Sequence, residues 1–185
     1  MTFNINEFRS TVNRMGIAKT NLFEVSITAP PALKDSGFQT DYLRYMCNSA
    51  ELPALDVVTY DVKPYGIGST EKKPSGIDFN TVNTIFYVDE HFRSMNFFHA
   101  WISKMVDFNT HHGSHQVYYK SGYATTIDIQ VYSANDTKYI RHYTLYNAYP
   151  INVGSVTTAW QNQNEVMTLP VGFTYDGINI QTTTR

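Results

Sequence analysis

A single cysteine, Cys47, stands in 185 residues, so no intrachain disulfide can form, and no Cys/His spacing is present to build a structural zinc site. Charge is scarce as well. Fourteen Lys and Arg against sixteen Asp and Glu leave a formal net charge of -2, with the basic residues scattered along the chain. That pattern excludes the basic footprint of a tight nucleic-acid binder, so any meeting with DNA is expected to be by passage or proximity. No segment approaches the ~20 apolar residues of a membrane span, and Met1–Asn6 lacks a basic stretch followed by an apolar run. The expectation is a protein soluble where it is made, with no membrane anchor and no secretory route. Also missing are GxSxG, a Walker-type loop, GxGxxG, HExxH and any fixed-period repeat.

What the chain has is aromatic side chains, fourteen Tyr and eleven Phe, a composition suited to a β-rich fold. The organising stretch runs from Thr81 to Phe108. It opens with Val82, Thr84, Phe86 and Val88 on one face and Ile85 and Tyr87 on the other, which is strand alternation. The period then lengthens. Asp89 can cap the first helical N–H groups, and a helix is expected over 89–107 with Phe92, Met95, Phe98, Ile102 and Met105 at steps of three or four. Phe97 and Trp101 widen that stripe, while Arg93, Ser94, Asn96, Ser103 and Lys104 form the polar side. Phe92, Phe98, Trp101, Ile102 and Met105 are the expected core anchors. A lone amphipathic helix needs a sheet to cover.

Several segments offer one. Leu22–Thr28 alternates, with Phe23, Val25 and Ile27 inward. Tyr42–Ala50 and Leu55–Val62 read as strands, with a bend or strand switch at Pro53. Val117–Tyr119 and Ala124–Tyr132 follow, and Tyr139–Ala148 returns through a tight turn at Ala134–Thr137. Pro150 through Gly154 breaks the pattern. Val166–Tyr175 resumes it, with Pro170 marking an edge or bulge. Pro64–Asn80 reads as a long loop of the kind that is functional or covered by a partner. Near the start, Asn4–Met15 forms a short helix bearing Phe8 and Val12, equally consistent with a docking arm or a frayed end. The expected organisation is an N-terminal arm 1–20, one β domain 21–176, and a polar tail 177–185 that is mobile or ordered by a partner. Seven or eight strands and one principal helix point to a mainly β fold, an antiparallel β-sandwich or partly open β-barrel with one flanking α-helix.

Chemistry is thin. His111, His112 and His115 lie close enough to capture a transition metal, but no carboxylate or Cys completes a recognisable spacing, and solvated loop histidines are the favoured reading. Asp89 and Glu90 are adjacent at a helix start rather than facing across a cleft, so capping explains them. Lys72 and Lys73 are read as a solvated pair. Cys47 is read as a buried, inert thiol. No catalytic residue, cofactor or metal is expected.

Certain stretches, in this order, resemble one family. They are Asn6–Ser10, then Ala18–Val25 leading to Pro30, Cys47–Pro53, Val82–Trp101, Tyr146–Gly154 and Asn164–Val166. The chain resembles the tail-tube proteins of contractile-tailed bacteriophages, relatives of the type VI secretion tube protein. The resemblance implies a non-enzymatic subunit of a virion tail, assembled in the host cytoplasm as homohexameric rings stacked into a tube. Its implied partners are its own copies, a tail sheath outside, and baseplate and tail-terminator proteins at the ends. Double-stranded DNA and a tape-measure protein would occupy the lumen without tight binding. Tyr65, Gly66, Lys72, Lys73 and Phe79 become candidates for ring-to-ring contact, and Phe8 and Val12 for arm contacts. The chain departs from the family's Gly-Asp-Arg-Thr-Phe-like stretch, having Lys72–Phe79 there, which leaves a baseplate-proximal tube initiator as an alternative beside a type VI-like tube. From other classes, a small-ligand-binding β-barrel and a metal enzyme built on the three histidines remain as remote readings.

Overall fold

The computed structural model describes residues 5–15, 18–63, 66–107, 116–133, 139–161 and 164–182. In chain order the elements are α1 (Ile5–Met15), β1 (Phe23–Ile27), a 3-10 turn (Pro31–Ser36), α2 (Leu43–Met46), β2 (Cys47–Ala50), β3 (Leu55–Val62), β4 (Glu71–Phe79) and β5 (Val82–Tyr87). Then come α3 (Arg93–Ser103), α4 (Lys120–Tyr123), β6 (Thr125–Tyr132), β7 (Tyr139–Val153), β8 (Thr168–Thr174) and β9 (Gly177–Thr182). The strands pair antiparallel in the order β1-β6-β7-β8-β5-β2, with β9 also on β7, while β3 and β4 form a separate two-stranded ribbon. The mainly β, partly open architecture is the expected one.

β7 is the hinge of this arrangement. Its Arg141–Tyr146 portion pairs with β6 on one side and β9 on the other, and its Tyr149–Val153 portion pairs with β8. The change of partner follows Asn147, whose φ of 53° is a left-handed conformation that asparagine tolerates better than most residues. A register shift between Pro150 and Asn152 completes the bend. Pro150 therefore does not end the strand, as its ring suggested; it lies within a bulge on the way to Val153. Gly154 N–H then donates to Pro170 O at 2.8 Å, and a Cβ there would lie 2.5 Å from the Pro170 ring, so only glycine fits this crossing. Pro170 is consequently not at a sheet edge. It sits in β8 between β5 and β7, where the β7 ladder runs out and its missing N–H is not needed.

The core fills the space between the two halves of the bent sheet. Val25, Ile27, Ile127, Ile129 and Leu145 come from one half, and Val82, Phe86, Leu169, Val171 and Phe173 from the other. The helix α3 packs into it: Phe98 meets Phe86 at 5.1 Å and Phe173 at 6.1 Å between ring centroids, and Trp101 meets Phe173 at 6.1 Å. The Trp101 indole N–H donates to Tyr123 O at 2.8 Å, so the one polar atom of a fully buried ring is satisfied. At the open rim between β1 and β2, α2 places Leu43 in the core, and Arg44 Nε reaches Glu24 Oε1 at 3.1 Å.

Elsewhere the elements differ from expectation. The helix is shorter than 89–107, because Phe92 takes a left-handed φ of 55° and regular turns begin only at Arg93. Asp89 still caps it: Oδ1 accepts the N–H of Arg93 at 2.7 Å and of Ser94 at 3.4 Å. Ser94, assigned to the polar side, is buried and its hydroxyl donates to Tyr87 O at 3.2 Å, tying helix to strand. Tyr42–Ala50 is not one strand but α2 followed by β2, and Val117–Tyr119 makes only a single bridge, Val106 to Val117. The expected loop Pro64–Asn80 is largely β4, whose Lys-Lys-Pro-Ser-Gly sequence masks strand character. The expected mobile tail is β9, paired with β7 from Gly177 to Thr182. The turn at Ala134–Thr137 lies outside the described residues.

Candidate functional site: a projecting ribbon and a polar sheet face

Of the expected core anchors, Phe98 and Trp101 are fully buried, Ile102 and Met105 are half-buried, and Phe92 is 43% exposed, outside the core. The left-handed turn at Phe92 swings it away from the stripe that periodicity assigned to it. Phe8 is exposed and Val12 half-buried on α1. Tyr65, His111, His112 and His115 lie outside the described residues. Among the described residues no group of three His, Cys, Asp or Glu is gathered as a metal site, and no helix is long and apolar enough to cross a membrane. The interior that a ligand barrel would keep open is occupied by Phe86, Phe97, Phe98, Trp101 and Phe173. Burial pushes the Cys47 thiol up to about 12, which keeps it protonated.

Two surfaces stand out instead. The first is the ribbon β3–β4. Every residue from Leu55 to Asp61 and from Glu71 to Asp78 is exposed, among them Val57, Tyr60 and Ile77. Its base is held by Phe79 against Tyr175 at 5.4 Å and by Asn80 Nδ2 donating to Asp56 Oδ2 at 2.7 Å. Lys72 and Lys73 lie on it, and Gly66 lies between its strands. Lys73 Nζ is 3.8 Å from Glu71 Oε2, Lys72 is in register with Asp61, and Gly66, at φ 72°, donates its N–H to Lys63 O. A two-stranded ribbon with a solvated backbone and exposed apolar side chains is marginal alone, which points to a partner.

The second surface is the outward face of β1, β6, β7 and β9, where alternation places Glu24, Ser26, Asp128, Gln130, His142 and Thr144. Most of these side chains are tied into two small hydrogen-bonded groups. Asp128 Oδ1 lies 2.9 Å from both His142 Nε2 and Thr144 Oγ1, and the Tyr132 hydroxyl lies 2.8 Å from Gln130 Oε1 and 3.1 Å from Glu24 Oε2. A sheet with one apolar and one polar face is meant to keep the polar face wet. Sequence alternation assigned the side chains of β1 and β6 to this face; it had no means of adding β9, whose strand was read as tail.

With an exposed ribbon, a wet sheet face and no catalytic constellation among the described residues, the comparison with known families becomes decisive. The phage tail tube protein profile matches residues 18–181. The chain belongs to the phage tail tube protein family. It is thereby a member of a family of structural tube proteins rather than enzymes. Solved structures share the fold. A chain of the sheath–tube complex of an extracellular contractile injection system, PVC, in the extended state superposes with a TM-score of 0.63 at 15% identity, covering 94% of this chain and 97% of that one. A chain of the anti-feeding prophage tube terminating cap gives 0.60 at 19% identity, covering 90% and 92%. A chain of the anti-feeding prophage baseplate gives 0.60 at 9% identity, covering 90% and 97%. No curated protein sequence matches the chain. The family match thus takes in every strand from β1 to β9 except the last residue of β9, and leaves α1 outside it.

Proposed function

We propose that this tail tube family member is the building block of the inner tube of a contractile tail. Six copies form a ring, rings stack into a tube, and double-stranded DNA passes through the bore. The family match over residues 18–181 carries the reading. The wet face of β1, β6, β7 and β9 supports it, because a bore must be lined by solvated side chains. Glu24 and Asp128 supply carboxylates there, and the whole chain carries a net charge of -2. A wall of that kind lets a polyanion slide without capture. The projecting ribbon and α1 supply subunit contacts that a single copy leaves uncovered.

In this reading a sheath surrounds the tube, and baseplate and terminator proteins cap its ends, in keeping with the sheath–tube, baseplate and cap assemblies from which the similar chains come. The particle is put together where its subunits are made, and a tape-measure protein occupies the bore before DNA does. Sedimentation and negative-stain images of the purified protein test the proposal. Six-membered rings and hollow tubes are expected, and a protein that stays monomeric at high concentration sinks it.

A further inference from the structure

One permanent cation reaches the wet face, and a carboxylate holds it. Among the described residues, the side chains that alternation turns outward on β1, β6, β7 and β9 include no Lys and no Arg. Arg141 lies on the opposite side of β7 from His142, with its guanidinium carbon 5.4 Å from the centre of the Tyr143 ring. The cation comes instead from the neighbouring α2, which packs beside β1. There Arg44 Nε lies 3.1 Å from Glu24 Oε1. A guanidinium stays charged at every pH a protein meets, so this charge is always present.

Both partners are held in place from a second side. The Tyr132 hydroxyl lies 3.1 Å from Glu24 Oε2 and 2.8 Å from Gln130 Oε1, so the carboxylate has one oxygen toward the arginine and one toward the sheet. Burial, and then the bond to Glu24, raise the Tyr132 hydroxyl above its ordinary 10, which keeps it a donor, while Arg44 acts in the opposite sense from nearby. Arg44 also lies over the exposed Tyr45 ring, its guanidinium carbon 4.8 Å from the ring centre. The arginine side chain is 41% exposed and the glutamate 27%, so the pair is open to whatever moves along the face. An exposed, stacked guanidinium is the group best shaped to grip phosphate oxygens through two parallel N–H donors. As a support for α2, a part-exposed ion pair of this kind contributes little.

We propose that Glu24 masks Arg44, occupying the guanidinium that would otherwise grip the phosphates of a passing DNA duplex, so that this pair sets how freely DNA moves along the face. The role rests on the tube reading. A ring of six copies repeats the arginine six times around one level of the bore, where contacts that are weak singly act on one duplex together. Loss of Glu24 therefore does two things in each copy: it removes an anion that repels phosphate and frees a cation that binds it.

Filter binding of a labelled DNA duplex to purified tubes, across a salt series, separates the two effects. Glu24→Gln keeps the side-chain shape and an oxygen for the Tyr132 hydroxyl while releasing Arg44. Its tubes should retain the duplex at low salt about tenfold or more above wild type, the excess fading as salt rises. Adding Arg44→Gln to Glu24→Gln should return retention to the wild-type level. Glu24→Gln tubes that retain no more DNA than wild type overturn the masking and leave the tube reading standing. Equal retention by the single and double variants also overturns it, assigning the effect to lost negative charge alone. If Glu24→Gln does not assemble, the wild type decides. In dissociated wild-type subunits the Arg44 Nε–H resonance should stay in place when the duplex is added at low salt, and a shift of that resonance contradicts a masked arginine. A wild-type protein that forms neither rings nor tubes removes the tube reading and this role with it.

Discussion

Trp101 joins α3 to β8 through its ring contact with Phe173 and to α4 through its hydrogen bond to Tyr123 O. Trp101→Ala should cost about 3–5 kcal/mol in urea unfolding, from lost transfer energy and the cavity left behind. Trp101→Phe should cost less, leaving the Tyr123 carbonyl without its donor. Charge pairing makes a second residue-scale prediction. Lys120 Nζ lies 2.6 Å from Asp176 Oδ1, and Asn147 Nδ2 also donates to Asp176. The lysine hydrogen bond, aided by Asn147, holds the Asp176 carboxyl below its ordinary 3.8 despite some desolvation, and the same bond raises Lys120 above 10.5. At Asp89, desolvation pushes upward, but the hydrogen bonds from Arg93 and Ser94 together outweigh it and hold the carboxyl low. The signs follow by linkage. The two carboxylates contribute stability above their unfolded values that is lost as pH falls through the folded ones, and Lys120 contributes below its unfolded value and loses it as pH rises through the folded one. Asp176→Asn should therefore flatten both the acid and the alkaline limbs of the unfolding midpoint against pH. Both partners are part-exposed, so the change should be small and should shrink further with added salt.

At the scale of elements, the ribbon and β9 differ in what they contribute to folding. Replacing Val57–Ile77 by a short turn removes a segment whose described residues are all outside the core, so the variant should fold with an unfolding midpoint near wild type while losing ring formation in sedimentation. Truncation after Asp176 should instead lower stability, because it strips the ladder of Arg141–Tyr146 and uncovers Tyr143 and Leu145. Strands with clean alternation, such as β1, β5, β6 and β8, were legible because one face packs on the core. β4 and β9 were not, for a shared physical reason. Neither Lys72–Gly76 nor Gly177–Thr182 has a long inward hydrophobic row, although β4 pairs with the adjacent β3 and only β9 with a strand further back in the chain. Phe92 failed differently: its spacing fits the helical stripe, but a left-handed residue before the first turn breaks the phase. Of the candidate contact set, Lys72, Lys73 and Phe79 do lie on one element, although that element was read as a loop.

For the whole molecule, the polar face and the ribbon together make the tube account. If the face of Ser26 and Gln130 lines the bore, Ser26→Lys with Gln130→Lys should leave ring assembly intact while adding twelve cations to a six-membered ring. Such tubes should retain DNA at low salt and release it as salt rises, whereas wild-type tubes should not retain it; filter binding across a salt series checks this. The most direct measurement is the mass and image of the assembled wild-type protein, by native mass spectrometry and negative-stain microscopy of one preparation. The account predicts a six-copy species and hollow tubes made of stacked rings. A monomer at every concentration, with neither rings nor tubes in the images, would contradict it.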